Sequence, residues 1–253
     1  MSEPDVPPGR TPLARIGLIG GMSWQSSAVY YRRLNQLVAE VRGGHASAPV
    51  TIHSVDFADI EALQRAGDWA GQGRILAGAA LALERGGVAA VALATNTLHL
   101  VAGDITAAIS VPFVDLIDVV AEAVTGMPTV GLLGTAYTMG SDLYSDRLAA
   151  VGTDVLVPDV AERELVHRVI YDELVHGIVL EESRAAYRDV LAHLADRGAR
   201  TVILGCTEIG LLIGPDDVDV AVLDTTELHC RTLTDVMING RVPTSRIAAG
   251  VAP

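Results

Sequence analysis

Two short segments of this chain carry side chains suited to taking a proton from carbon and returning it: Thr95-Asn96-Thr97 and Cys206-Thr207-Glu208. Each follows an apolar run that reads as a buried strand, Val91-Ala92-Leu93-Ala94 in one case and Val202-Ile203-Leu204-Gly205 in the other. Two such loops facing one pocket would offer one base on each side of a substrate carbon. The two positions are not equivalent. A thiol ionises within reach of neutral pH, and local N–H dipoles at a helix start favour its reactive thiolate form. A threonine hydroxyl is a poor base there and at best hands a proton on within a hydrogen-bonded chain. Cys206 is therefore the stronger candidate, against the alternative of a buried, inert cysteine, and Thr95 either relays a proton or only fixes its loop. Asn96 and Thr97 add an amide, a hydroxyl and backbone N–H groups, which suit a carboxylate or an enolate-like charge. Glu208 can orient or deprotonate a neighbour, or cap the helix it begins. His99 reads as a cap or packing residue beside the loop, Cys230 as structural, and Asp56, Asp115 and Asp224 as helix caps at strand ends.

A third segment, Gly20-Gly21-Met22-Ser23, follows the first apolar run and opens a helical period. Its glycines permit close backbone approach to a ligand, and a helix start offers unpaired N–H groups to an anion. It does not spell a dinucleotide-binding fingerprint, and a tight strand-to-helix turn is the competing reading.

The elements that must position these loops follow from periodicity. Short apolar runs predict strands over 15–19, 50–55, 88–94, 112–114, 129–133, 154–157, 201–204 and 220–223. Helical periods occupy 23–41, with Ser23 or Ser26 as N-cap, then 59–65, 70–85, 136–151, 161–176 and 180–197. Alternation of the two predicts an α/β protein with mainly parallel sheets. The halves repeat: Ile16-Gly17-Leu18-Ile19-Gly20 matches Val130-Gly131-Leu132-Leu133-Gly134, at closely similar distances before Thr95 and Cys206, and Phe113-Val114-Asp115 matches Val222-Leu223-Asp224. This predicts two similar lobes related by a pseudo-twofold axis, with the active site in the cleft between them. The expected division is a lead-in at 1–13, a first lobe of 14–111 plus 222–243, a second lobe of 112–221, and a tail at 244–253.

Composition narrows the function. The formal net charge is −13 and no lysine is present, so no basic stripe exists for a nucleic acid. An anionic substrate would need arginine or backbone N–H groups. Cys206 and Cys230 are the only cysteines, which fits a reducing, cytoplasmic setting better than a disulfide framework, and neither has metal-ligand spacing around it. The proline-bearing start carries no signal-peptide apolar core, and the apolar stretch 75–94 is broken by Glu84, Arg85, Gly86 and Gly87, so it is no membrane span.

The chain resembles the aspartate/glutamate racemase family that uses no pyridoxal phosphate. The resemblance runs over about 15–237 and rests on Gly20-Gly21-Met22-Ser23-Trp24, Tyr30-Tyr31-Arg32, His53-Ser54-Val55-Asp56-Phe57, Thr95-Asn96-Thr97-Leu98-His99, Gly134-Thr135-Ala136-Tyr137-Thr138-Met139 and Gly205-Cys206-Thr207-Glu208-Ile209-Gly210. It implies two α/β lobes, a homodimer, no cofactor, and a small amino-acid dicarboxylate held between two opposed cysteines that remove and return its α-proton. Thr95 stands where the first cysteine is usual. A Thr/Cys branch of the family acts on L-aspartate and L-glutamate, and by that likeness Cys206 would abstract the α-proton of the L-enantiomer while Thr95 faces the other side. Asn96, Thr97 and Thr207 would grip the α-carboxylate, with Met22, Gln64, Thr138 and Glu208 as further contacts. Relatives hold the side-chain carboxylate with a cation, often lysine; without one, Arg65, Arg163 or Arg168 would have to serve. The alternatives are a one-thiol decarboxylase of a malonate-like acid and a ligand-binding homologue without turnover.

Overall fold

A computed structural model describes residues 11–243. The expected lead-in at 1–13 and tail at 244–253 lie almost wholly outside the described residues; Leu13 packs against the first core. In chain order the elements are β1 (Ile16–Gly20), α1 (Trp24–Arg42), β2 (Val50–Ser54), α2 (Phe57–Arg65), α3 (Trp69–Arg85), β3 (Ala90–Leu93), α4 (Ala102–Ala108), β4 (Phe113–Val114), α5 (Leu116–Ala123), β5 (Thr129–Gly134), α6 (Ala136–Met139), α7 (Leu143–Ala149), β6 (Asp154–Leu156), α8 (Val160–Asp172), α9 (Glu181–Asp196), β7 (Thr201–Gly205), α10 (Ile209–Leu212), β8 (Ala221–Asp224) and α11 (Thr225–Asn239). Single 3-10 turns at Thr97–Val101, Leu174–His176 and Pro215–Asp217 complete the set.

The strands form two parallel four-stranded sheets of identical topology, β2-β1-β3-β4 and β6-β5-β7-β8. The central strands are buried except for the first residue of β5 and of β7, as expected of parallel sheets covered on both faces. In the first sheet, Leu18 and Ala92 face α1, while Ile19 and Val91 face α3. In the second, Leu133 and Val202 face α8 and α9, while Leu132 and Ile203 face α7. Gly17 and Gly131 occupy equivalent places in β1 and β5; a Cβ at either would press on apolar side chains of the covering helix and the neighbouring strand or loop.

The lobe boundaries differ from the expected ones. β4 pairs in the first sheet and β8 in the second, yet the helix after each strand packs across on the other lobe. Leu116, Ile117 and Val120 of α5 join the second-lobe core, while Cys230, Leu233 and Met237 of α11 join the first. The changeovers therefore fall at Asp115 and Asp224 rather than at 112 and 222. Both aspartates do the same job: each ends a strand and caps the next helix, with Oδ1 accepting two N–H bonds. The expected helix over 136–151 is two helices, divided at Gly140, which ends α6, and Asp142, which precedes α7.

Candidate active site

The carboxyl ends of β1, β3, β5 and β7 converge on one cleft between the lobes, where open parallel sheets place ligands. It holds about 530 Å³ of space that runs out into solvent. Met22, Gln64, Thr95, Asn96, Thr97, Cys206, Thr207 and Glu208 all line it. Thr138 does not: it is fully buried behind Thr97 and Thr135, so it supports the wall. Arg65, Arg163 and Arg168 do not line it either, which removes the expected cations. Arg65 turns outward to Glu61 (2.7 Å) and Arg168 is exposed.

Two hydroxyl clusters, one per lobe interface, repeat the pseudo-twofold axis in side-chain chemistry. Ser23 caps α1 by accepting the Ser26 N–H, and Thr135 caps α6 by accepting the Thr138 N–H. Each capping hydroxyl and its partner three residues on then meet the loop of the opposite lobe, two residues past the paired Thr95 and Cys206 positions. On one side Thr97 Oγ1 lies 2.8 Å from Thr138 Oγ1 and 3.1 Å from Thr135 Oγ1. On the other, Ser23 and Ser26 each donate to Glu208 Oε1 at 2.8 Å. A threonine carries one oxygen and ends there. A glutamate has a second oxygen, and Glu208 Oε2 reaches back to accept the Cys206 thiol (3.0 Å) and the Thr207 hydroxyl (2.6 Å). Ser26 also contacts Thr207 directly. Glu208 thus collects four side-chain donors while almost wholly buried, a well-satisfied carboxylate of the kind that a buried charge requires.

This arrangement sets the state of the thiol. Burial pushes the Cys206 thiol well above its ordinary range, and the adjacent Glu208 carboxylate, which also accepts its proton, pushes it further. The backbone N–H groups of Glu208 and Ile209 pull the other way and are outweighed. The resting group is a thiol, a correction to the expectation that the helix start would hold it as thiolate.

The Thr95 side is held by different means. His99 Nδ1 donates to the Thr95 carbonyl (2.8 Å), and its Nε2 accepts the Leu116 N–H (3.1 Å). These two bonds require the neutral Nδ1–H tautomer, and burial lowers the imidazole's proton affinity accordingly. Asn96 is fixed from the second lobe: its Oδ1 accepts the Tyr144 hydroxyl (2.5 Å), and its Nδ2 donates to Thr225 Oγ1 (3.2 Å), which donates to the Leu204 carbonyl (2.9 Å). The amide that sequence alone assigns to a substrate carboxylate is largely engaged by the protein. Tyr144 and Thr225 went unrecognised in the sequence, and Ser26 was read only as a possible N-cap of the first helix.

Gly21 closes the first-lobe turn at φ +98°, a conformation that glycine adopts freely, and a Cβ there would collide with the Val55 carbonyl. Its N–H donates to Ser27 Oγ (2.8 Å), so this N–H is not offered to the cleft. At the mouth, Trp69 of the first lobe meets Tyr137, His167 and Tyr171 of the second in a chain of ring contacts. Tyr171 also donates to Gln64 Oε1 across the cleft (3.5 Å).

Two parallel α/β lobes of identical topology, with Thr95 and Cys206 both lining the cleft between them, define the class. The chain belongs to the Asp/Glu/Hydantoin racemase family, whose pattern it matches over residues 19–233. As a member it is an isomerase, an amino-acid racemase with a small-molecule substrate. Among solved structures it is similar to a provisionally assigned Asp/Glu racemase from Yersinia pestis, at 43% identity and TM-score 0.83, covering 90% of this chain and 100% of that one. It is also similar to an aspartate racemase homologue from Pyrococcus horikoshii OT3, at 35% identity and TM-score 0.76, covering 89% and 99%. A glutamate racemase from Thermus thermophilus is 33% identical over 156 residues, which span 59% of this chain and 55% of that protein. Among the described residues no helix is long and apolar enough to cross a membrane.

Proposed function

We propose that this racemase works without a cofactor, with Cys206 facing the α-hydrogen of an L-amino acid and Thr95 facing the opposite side of the same carbon. The observation that carries the reading is the unequal pair: a thiol hydrogen-bonded to a buried carboxylate on one side, and a lone hydroxyl on the other. For abstraction, the Cys206 S–H proton passes to Glu208 Oε2, and the thiolate so formed takes the α-proton. The negative charge left on the substrate spreads into its carboxylate, to which the backbone N–H groups of the Asn96-Thr97 and Thr207 loops donate. On the far side Thr95 passes on a proton drawn from water, a slower delivery than a thiol would give. In the reverse direction the resting Cys206 thiol is already the donor. Glu208 acts here through Cys206, as a positioning residue and proton store. The acidic amino acids that the resemblance implies bring a second carboxylate into a cleft that no cationic residue lines among the described residues. The reading therefore rests on the chemistry of the α-carbon rather than on the side chain.

The expected behaviour is rapid α-proton exchange of the L-enantiomer with slow net racemisation. Incubating L- and D-amino acids in deuterated water and following the α-proton by NMR tests it. Loss of exchange in Cys206→Ala supports the assignment; exchange at the wild-type rate in that variant overturns it. We further place the protein in the cytoplasm as a homodimer, and light scattering of the purified protein checks the second point.

A further inference from the structure

The reading of the cleft as a racemase site leaves its side-chain pocket unassigned, and the wall chemistry is informative there. Phe57, Ile60 and Gln64 project from one face of α2, at spacings of three and four residues, and line the cleft from the first lobe. Ile170, Tyr171 and Val175 line it from the second. Four of these six are apolar, and the two polar ones are uncharged and paired with each other, Tyr171 donating to Gln64 Oε1.

Among the described residues no arginine or histidine lines this wall. Arg65 follows Gln64 directly, so the helix turns it away, and it pairs with Glu61 in solvent. His167, in tilted ring contact with Tyr171, accepts the Ala136 N–H on Nδ1 (3.2 Å), a bond that only the imidazole with an unprotonated Nδ1 can make. The start of α2, from which Phe57 lines the cleft, is already occupied by the Asp56 carboxylate, which accepts the Ala58 N–H at 2.9 Å. Among the described residues the one charged group lining the cleft is Glu208, an anion. A substrate bearing a second carboxylate would place it in a partly desolvated cleft, beside a like charge and opposite apolar carbon. An uncharged side chain of the same length meets no such penalty.

On the racemase reading, we infer that this cleft selects α-amino acids with an extended, uncharged side chain, such as glutamine or methionine, over aspartate and glutamate. Gln64 and Tyr171 are its specificity-determining polar pair. Glutamine and glutamate are the sharpest comparison, since they differ by one charge at nearly equal volume. The test has two arms on the full-length wild-type protein: α-proton exchange in deuterated water with L-glutamine, L-methionine, L-glutamate and L-aspartate, and calorimetric binding of L-glutamine against L-glutamate. Exchange of glutamine and methionine at kcat/KM about tenfold or more above glutamate is expected. Equal or faster exchange of glutamate overturns the inference. If no amino acid exchanges, the racemase reading fails by itself. Binding then decides: tighter glutamine binding upholds the side-chain selectivity, and tighter glutamate binding, or binding of neither, overturns it. Gln64→Lys supplies the missing cation, and a shift of the glutamate-to-glutamine exchange ratio by about tenfold toward glutamate is expected; an unchanged ratio counts against the assignment of Gln64.

Discussion

Replacing Glu208 by glutamine changes one charge at constant volume, and the structure fixes the sign of every consequence. Oε2 lies 3.0 Å from Cys206 Sγ. A unit charge at that distance interacts by roughly 5 kcal/mol at an effective dielectric constant of about 20, an upper bound for a site open to solvent on one side. Removing that charge takes away one of the causes that hold the thiol pKa up, so the thiol pKa falls. The thiolate fraction at neutral pH therefore rises in Glu208→Gln. If a larger thiolate fraction were all that mattered, exchange would accelerate. On the proton-store reading it slows, by about 10²–10⁴-fold, because the amide cannot take the S–H proton as Cys206 turns from acid to base. The two readouts separate cleanly. Iodoacetamide alkylation against pH reports the thiol, since Cys230 is fully buried, and α-proton exchange reports the chemistry. Expected results are an alkylation midpoint displaced downward, exchange strongly reduced, and partial recovery in Glu208→Asp. An alkylation midpoint that stays in place or rises would refute the electrostatic argument. Exchange that rises with the thiolate fraction would refute the proton-store role.

Three further perturbations probe the scaffold. Tyr144→Phe deletes the hydroxyl that holds Asn96 Oδ1 and leaves a buried acceptor unpaired; about 1–3 kcal/mol of stability should be lost in urea unfolding, with exchange impaired through the misplaced Asn96 loop. His229 accepts the Tyr30 hydroxyl on Nδ1 and donates from Nε2 to the Val114 carbonyl, and burial holds its pKa down to about 3. The unfolded chain binds a proton near pH 6.5 that the native state refuses, so stability is complete above that pH and falls as pH drops toward 3. The cost is about 1.4 kcal/mol per unit, measurable as lower urea midpoints at pH 5 than at pH 7, and a pH-independent midpoint across that interval would contradict it. Asp224→Ala removes a side chain that accepts the Thr226 and Glu227 N–H groups at the start of α11, and should lower stability by about 1 kcal/mol in the same assay.

Much of the architecture was legible because strands buried on both faces leave short uninterrupted apolar runs, and each of the eight fell within a residue or two of its expected place. The lobe changeovers were not, because pairing partners are set by sheet geometry and leave no local mark. α5, Leu-Ile-Asp-Val-Val-Ala-Glu-Ala, went unmarked because six of its eight residues are buried, so no polar face advertises its period. The paired loops were visible as a repeat, but their asymmetry looked like a matter of thiol against hydroxyl alone. The greater difference lies two residues later, where Thr97 and Glu208 occupy equivalent places against equivalent hydroxyl pairs. Charge counting suggested that an arginine must enter the cleft. Arg65 is one residue from a lining position, and about 100° of helix rotation per residue puts it on the outside.

The exchange of helices at Asp115 and Asp224 gives the molecule the logic of a clasp. α5 and α11 each leave the sheet they follow and are built into the core of the opposite lobe. Neither half of the duplicated chain holds a complete hydrophobic core by itself. The two lobes must therefore fold as one cooperative body, and the halves of the repeat are no longer separable units. The same two strand-to-helix corners carry the chain from one lobe to the other. The joints that make the lobes inseparable therefore sit at the ends of the edge strands β4 and β8, outside the central strands whose loops line the cleft.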